Sequence, residues 1–547
     1  MTAKFRNEKL AKSLARTKVK PELKEAAVMP KPNTVNRQGH SAYKLDKRLR
    51  LLTMLNTLKL QNQYYRTDGE AQKELKQLVD ECAKENAYFV AQAIVYSRCV
   101  GEGMRSVNHL AASYLAPHCA GHEWAKRFYS LWNKRTKSGG TIFRADDMSE
   151  IVACFTARNE TSVTNAMKKG FKSALENLDN YALLKYKKSL IDVINLVHPN
   201  PNASEAIVKV GRKNISTLSA IMKGESVSAD TWEVANSEAG QIVKKAVDSG
   251  KITEVEAKKV LKEAKAENWK GLLDDGKLGI LAALRNIRNI LGVNADSSTV
   301  DALCALLSNG GAIKNGKVMP YQIDMAHSIT NEEFSSPDSR KIAKALLSGY
   351  EAAVPNLAEL IPGRNLVMVD ISGSMNSISW CPMLDARTGK KMTKSTPADK
   401  ATLIAATIAK ATDADVIRFG TSAEVYKYNP NADIFSIADG IRGNMGGTYL
   451  AKAWELATKS EVKYDRVFIL SDNEANRGNT YAAYNAYVKE VGGPYVYSVD
   501  LAGYGTAQVA GDKVRYYFGY GYSMFEDIAK SEFNPNYHFD KVKKIVI

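Results

Sequence analysis

Cysteine is scarce. The chain has six in 547 residues, at 82, 99, 119, 154, 304 and 381, and no two of them form a Cys-x-x-Cys pair. That excludes a disulfide framework and a zinc ribbon, and reduced thiols fit a cytoplasmic address. His118 and His122 flank Cys119 one helical turn apart in "HCAGHEW", but no second ligand pair accompanies them, so the trio reads as structural. Long apolar runs are missing too: nothing approaches the roughly 18 to 20 uncharged residues a membrane span needs. The basic opening "MTAKFRNEKLAKSLARTKVK" contains no apolar core of signal-peptide length. A cytoplasmic chain without a membrane partner is expected, and a monomer. Also absent is any Ser/His/Asp or Cys/His set spaced for covalent catalysis, so no catalytic residue is assigned and the chain is not read as an enzyme. "GAIKNGKV" (311–318) approaches a phosphate-binding loop, yet Val318 stands where the Mg²⁺-binding Ser or Thr belongs.

What is present is positive charge, unevenly placed. Lys and Arg number 76 against 59 Asp and Glu, a formal net charge of +17. Residues 351–547 contain 22 of each sign, which leaves 54 basic and 37 acidic groups in the first 350 residues and puts the whole excess there. A strongly basic part beside a neutral one points to an acidic partner for the former, and nucleic acid phosphate is the commonest.

Texture divides the chain in the same place. Residues 1–38 carry many Lys and Arg, several prolines and no sustained apolar period, the pattern of a flexible basic arm. Across 39–358, amphipathic helices follow one another. Leu45, Leu49, Leu52 and Leu55 form one apolar stripe, and Leu278, Leu281, Leu284, Ile287 and Leu291 another. Helix after short loop after helix predicts an α-solenoid of stacked, HEAT-like pairs. From 359 to 547, short apolar runs at 366–369, 415–419, 466–470, 495–499 and 514–518 alternate with helical segments near 398–411, 449–459, 480–490 and 522–531. That alternation predicts a doubly wound α/β domain on a parallel sheet.

In such a sheet, ligands bind beyond the carboxyl ends of the strands. "VMVDISGSM" ends a strand at Asp370 and places Ser372 and Ser374 in the next loop. "GNMGGTYL" puts Thr448 on a glycine-rich loop before a helix, and "RVFILSDNEANRG" puts Asp472 at another strand end. Two carboxylates and three hydroxyls are hard oxygen ligands that suit Mg²⁺. A phosphatase of the haloacid dehalogenase type needs a second Asp where this chain has Ser372. The pattern Asp-x-Ser-x-Ser, then Thr, then Asp resembles the metal-ion-dependent adhesion site of von Willebrand factor A domains, and that resemblance implies a divalent cation, Mg²⁺ or another, at these five residues.

Landmarks along the chain extend the likeness. "GHSAYKLDKRLRLLTMLN", "LGILAALRNIRNILG", "VMPYQIDMA", "VMVDISGSM" and "SDNEANRG" occur in this order and resemble the landmarks of the Ro autoantigen family, whose helical part is the TROVE domain. The resemblance implies a ring of helical repeats with a von Willebrand factor A domain at its end. It implies small Y-like RNA on the basic outer surface, single-stranded 3′ ends of misfolded noncoding RNA in a central hole, and a tethered 3′-to-5′ exoribonuclease. The segment "KKGFKSALENLDNYALLKYKKSLIDVINLVHPNP" is similar to the family's Y RNA-binding stretch and assigns RNA contact to Lys185 and His198, with Lys168, Lys169, Lys172, Lys187 and Lys188 around them. Ser189 stands where the family has arginine. A second cluster, "KRFYSLWNKRTKSGG", interleaves Arg127, Lys134 and Arg135 with aromatic residues, a pattern that fits either base stacking or core packing. Arg285 and Arg288 are further candidates for the hole. A metal-dependent protein adhesion module on a helical scaffold is the alternative reading.

Overall fold

"LVMV" and "VFIL" are apolar at every position and include β-branched residues, which suits strands covered on both faces. The computed structural model describes residues 27–131, 143–157, 163–227, 232–293, 295–376, 395–519 and 521–547, without the side chains of 232–239 and 523. The chain divides into two compact units, one of residues 1–75, 319–325 and 354–541, the other of 76–318, 326–353 and 542–547.

The first unit is α/β. Its strands are β1 (Thr34–Val35), β2 (Ser41–Lys44), β3 (Asn365–Asp370), β4 (Asp415–Phe419), β5 (Ala423–Tyr426), β6 (Arg466–Ser471), β7 (Tyr495–Asp500), β8 (Thr506–Ala507) and β9 (Val514–Phe518). The main sheet has the order β9-β7-β6-β3-β4-β5. All neighbours in it run parallel except β5, which returns antiparallel on β4 as an edge. Leu366 and Met368 pack in one cluster with Trp454, Tyr484 and Tyr487. The intervening Val367 and Val369, equally buried, point to the opposite face by strand alternation, and helix Pro397–Thr412 packs on β3. This is why β3 reads as a continuous apolar run.

Residues 27–38 differ from the expected flexible arm, whose first 26 residues lie outside the described ones. Ala27 and Met29 are buried, and the Met29 N–H donates to Asn485 Oδ1 at 2.8 Å. Strand β2 pairs antiparallel with both β1 and β8. Helix Lys47–Thr57, which the apolar stripe places at the head of the helical run, also belongs to this unit. The reason is burial: its partners lie hundreds of residues downstream, where no local pattern announces them.

The second unit is helical apart from a hairpin of Ile207–Val210 and Lys213–Ser216. Helices pack in pairs: Ser106–Leu115 with Asp147–Thr156, Glu123–Ser130 with Asn165–Glu176, Trp232–Asp248 with Glu254–Asp274, and Ser297–Leu307 with Pro337–Ala353. Glycine permits one close approach: a Cβ on Gly170 would lie 2.4 Å from Tyr129 Cβ. Helix Asp68–Cys99 breaks at Asn86, whose Oδ1 accepts the Phe89 N–H at 3.0 Å and so restarts the helix. Asp147, fully buried, accepts from Arg105 Nε at 3.0 Å and from Arg98 Nη2 at 3.4 Å. Burial disfavours its charge, but His109, Arg98 and Arg105 outweigh that and hold its carboxyl well below the usual range. Two further contacts join distant parts of the unit. Lys317 Nζ donates to the carbonyls of Arg98 and Cys99, and Gln92 Nε2 donates to Lys543 O at 3.0 Å and Ile545 O at 2.7 Å. Among the described residues no helix is long and apolar enough to cross a membrane, and Cys82, Cys99, Cys119, Cys154 and Cys304 carry free thiols. His118 Nε2 meets Asp80 Oδ1 at 2.9 Å, and Cys119 is buried.

Candidate functional site

Three loops meet beyond the carboxyl ends of β3, β4 and β6. Strand β3 ends at Asp370 and β6 at Ser471, so Asp472 opens the loop after β6. Backbone bonds lace the loops together. The Met445 N–H donates to Ile371 O at 2.9 Å, the Gly373 N–H to Gly446 O at 2.7 Å, and the Asn476 N–H to Thr448 O at 3.1 Å. Gly446 has φ +72°, a backbone conformation only glycine adopts without strain.

That lacing brings together all five oxygen-bearing residues singled out in the sequence. Asp370, Ser372, Ser374, Thr448 and Asp472 are each at most 6% exposed. Asp370 Oδ1 accepts the Ser372 N–H at 2.9 Å, and its Oδ2 accepts the Ser471 hydroxyl at 2.6 Å. Ser372 Oγ and Ser374 Oγ stand 3.2 Å apart. Ser374 in turn bonds to Asp472 and to Tyr65. Thr448 Oγ1 is buried with no hydrogen-bond partner. Burial first, and the Asp472 charge second, push the Asp370 carboxyl upward; burial likewise pushes Asp472 upward. Two buried carboxylates that form no ion pair among the described residues and an orphaned hydroxyl make an electron-rich cluster, and a small divalent cation is the group whose charge and hard-oxygen preference match it. Among the described residues no three His, Cys, Asp or Glu side chains form a metal cage, so the donor set here is two carboxylates plus hydroxyls.

Two acidic residues at this edge escaped the sequence reading. Glu474 Oε2 accepts the Arg37 N–H at 3.0 Å while Oε1 is buried without a partner. Burial, then Asp472, push Glu474 up to about 8. Asp500 ends β7 and accepts the N–H groups of Ala502 and Gly503 at 2.9 and 2.6 Å, and burial pushes it up to about 6. Its signal was available: "YVYSVD" ends an apolar strand in Asp just as "VMVD" does.

The basic residues lie in the helical unit. Lys168, Lys169 and Lys172 sit on helix Asn165–Glu176, which packs against the helix bearing Arg127 and against helix Lys187–Val197. Lys169, Lys188 and Arg127 are exposed, and Lys168 and Lys172 half-buried. Lys185 ends helix Asn180–Lys185, with Nζ 2.9 Å from the Tyr181 hydroxyl and 5.2 Å from the centre of that ring. Lys187 Nζ donates to Val227 O. His198, exposed, caps helix Lys187–Val197 at φ 46°, an uncommon left-handed conformation for a residue other than glycine. These positions therefore gather on neighbouring helices. Phe128 and Tyr129 are core residues, so of the two readings of the interleaved cluster core packing holds for them; Lys134 and Arg135 lie outside the described residues. Arg285 and Arg288 are both exposed on helix Ile280–Gly292, which packs on Ser297–Leu307 instead. Arg288 is paired with Glu333.

Comparison with known proteins adds an independent line. The family model of the TROVE domain matches residues 92–360. Among solved structures, the crystal structure of the Deinococcus radiodurans Ro (RSR) protein is similar, with a TM-score of 0.55 and 16% identity, over 89% of this chain and 100% of that one. No curated protein sequence matches the chain. The TROVE match spans most of the helical unit, so residues 92–360 of this chain are a TROVE domain, the helical domain of the Ro family.

Proposed function

We propose that the protein is a non-catalytic RNA-binding scaffold in noncoding RNA quality control or processing. One observation carries this reading. The part of the chain that matches the TROVE domain carries 35 Lys and Arg against 29 Asp and Glu and gathers Lys168, Lys169, Lys172, Lys185, Lys188 and Arg127 on mutually packed helices. Charges in that arrangement meet phosphate and fix the position of an RNA without reading its bases. In this reading a Y-like small RNA lies on the outer surface over Lys185 and His198. The helical repeats close into a ring whose hole takes single-stranded 3′ ends of misfolded RNA, and a 3′-to-5′ exoribonuclease is tethered through the small RNA. The contact of Lys317 with Arg98 and Cys99 supports closure, because it joins residues more than 200 positions apart within one unit.

The α/β unit is, in the same proposal, a von Willebrand factor A-like domain in which Asp370, Ser372, Ser374, Thr448 and Asp472 hold Mg²⁺. When bound, the ion supplies an open coordination position for a carboxylate or phosphate oxygen of a partner. The chain's own residues position it: Ser471 and the Ser372 N–H orient Asp370, and the Glu474 N–H orients Asp472 at 3.0 Å.

The test is purification from the native cell in mild salt, followed by extraction and sequencing of bound nucleic acid. One abundant small structured RNA, lost from the Lys185→Ala, His198→Ala double variant, is the expected result. Protein free of RNA would overturn the reading, and loss of a protein partner in Asp370→Ala with RNA untouched would identify the adhesion module as a second activity.

A further inference from the structure

A cavity of about 470 Å³ opens between the N-terminal segment and helix Thr480–Glu490, all within the α/β unit and outside the Asp370 cluster. Its wall carries two buried polar atoms with nothing to bond to. Thr480 is 6% exposed and Gln508 3%, yet Thr480 Oγ1 and Gln508 Oε1 have no hydrogen-bond partner. Gln508 Nε2 donates to Asn473 O at 2.6 Å, which fixes the amide and leaves Oε1 as a pure acceptor. An orphaned buried polar atom costs about 1–3 kcal/mol, and a ligand bonding to both atoms in this cavity wall would recover that cost.

The remaining wall describes that ligand. Thr480 is the first residue of an eleven-residue helix, whose positive end and unpaired N–H groups favour an anion. Asn479 caps only the Ala482 N–H. Lys31 adds an exposed cation, and His40 is held in place by donating Nε2–H to Gly478 O at 2.7 Å. Tyr43 and Tyr481 supply aromatic wall. The cavity therefore asks for an anion at the helix end, a donor for Gln508 Oε1 and a planar group near the tyrosines, within the volume range of small-ligand sites.

We propose that this cavity binds a nucleoside monophosphate, either free or as the 5′-phosphorylated end of an RNA. The phosphate accepts from the Thr480 hydroxyl, the helix N–H groups and Lys31, and an amino or hydroxyl group of the nucleoside donates to Gln508 Oε1. The site does not rest on the RNA reading of the helical unit.

Isothermal titration of the full chain with AMP, adenosine and inorganic phosphate tests it. Saturable AMP binding is expected, with adenosine unbound and phosphate weaker than AMP. Lys31→Ala and Thr480→Val should each weaken AMP about tenfold or more, the scale of a lost charge-assisted hydrogen bond. Lys31 is exposed, so its variant keeps the fold even if Thr480→Val does not. Displacement of AMP by a 5′-phosphorylated oligonucleotide but not by its 5′-hydroxyl twin assigns the RNA end; displacement by neither assigns the free nucleotide. No saturable AMP binding, phosphate binding as tightly as AMP, equal displacement by both oligonucleotides, or AMP affinity unchanged in Lys31→Ala and in folded Thr480→Val would each overturn the proposal.

Discussion

Asp147 and Asp370 are both buried carboxylates, and their surroundings drive them in opposite directions. Asp147 is met by His109, Arg98 and Arg105, which overcome its burial, and it also accepts the Arg144 N–H at 3.1 Å. Because its folded pKa lies below the unfolded value near 3.9, its contribution is present above that pH and lost as the medium is acidified further. Replacing it with Asn leaves Arg98 without its counterion and Arg105 with Asp146 alone, and is expected to cost about 3–5 kcal/mol in urea unfolding. A loss under about 1 kcal/mol would show that the cluster is solvated. Asp370 forms no ion pair among the described residues, and burial with the Asp472 charge raises it. A raised carboxyl contributes stability that is full below its unfolded pKa and is lost as pH rises through the folded one. In Mg²⁺-free buffer at pH 7, Asp370→Asn should therefore melt higher than the parent. Millimolar Mg²⁺ should stabilise the parent alone, and less so toward pH 5, where protons compete for the same oxygens. Equal Mg²⁺ responses in both proteins would remove the metal assignment.

At the scale of elements, the N-terminal segment yields the sharpest test. Asn36 Nδ2 donates to Ala475 O at 2.6 Å, and its Oδ1 accepts the Gln38 and His40 N–H groups at 3.0 and 2.9 Å. Asn36→Ala should lower the stability of the α/β unit by about 1–3 kcal/mol, and limited proteolysis should then cut first between residues 27 and 46. Unchanged cleavage would show that β2 alone secures the segment. The main-sheet elements were legible: the five apolar runs became β3, β4, β6, β7 and β9 within a residue or two of their expected limits, since each is buried on both faces and needs no alternation to be seen. Edge strand β5 and helix Ile434–Ile441 went unread; "AEVY" is short and half-exposed, and the helix barely spans two turns. The hairpin "IVKVGRKNIS" carried an alternating pattern around a glycine, legible in retrospect. The five oxygen-bearing residues could be singled out because each lies at a strand end, in the loop just after one, or in a glycine-rich loop before a helix. The segment from 27 to 44 was not, because everything that holds it is remote in sequence.

The charge asymmetry acts on the whole molecule. Residues 351–547 are balanced while the remainder holds the full +17, so RNA affinity should fall steeply between 50 and 200 mM salt, as phosphate contacts release counterions. Ultraviolet crosslinks should fall in residues 76–353. Affinity independent of salt would contradict the phosphate-contact model. The order of elements along the chain has a further consequence, for synthesis. The helical unit is complete but for its last few residues by position 353, whereas the α/β unit is split across both ends of the sequence. Tyr43 pairs with Ala507, 464 positions later. At a translation rate of about 5–20 residues per second, β2 waits roughly 25–90 s for its partner strand. During that interval the helices can form while β2 still lacks β8, so a nascent chain stalled near residue 360 would already display the basic surface with the Asp370 loop not yet built.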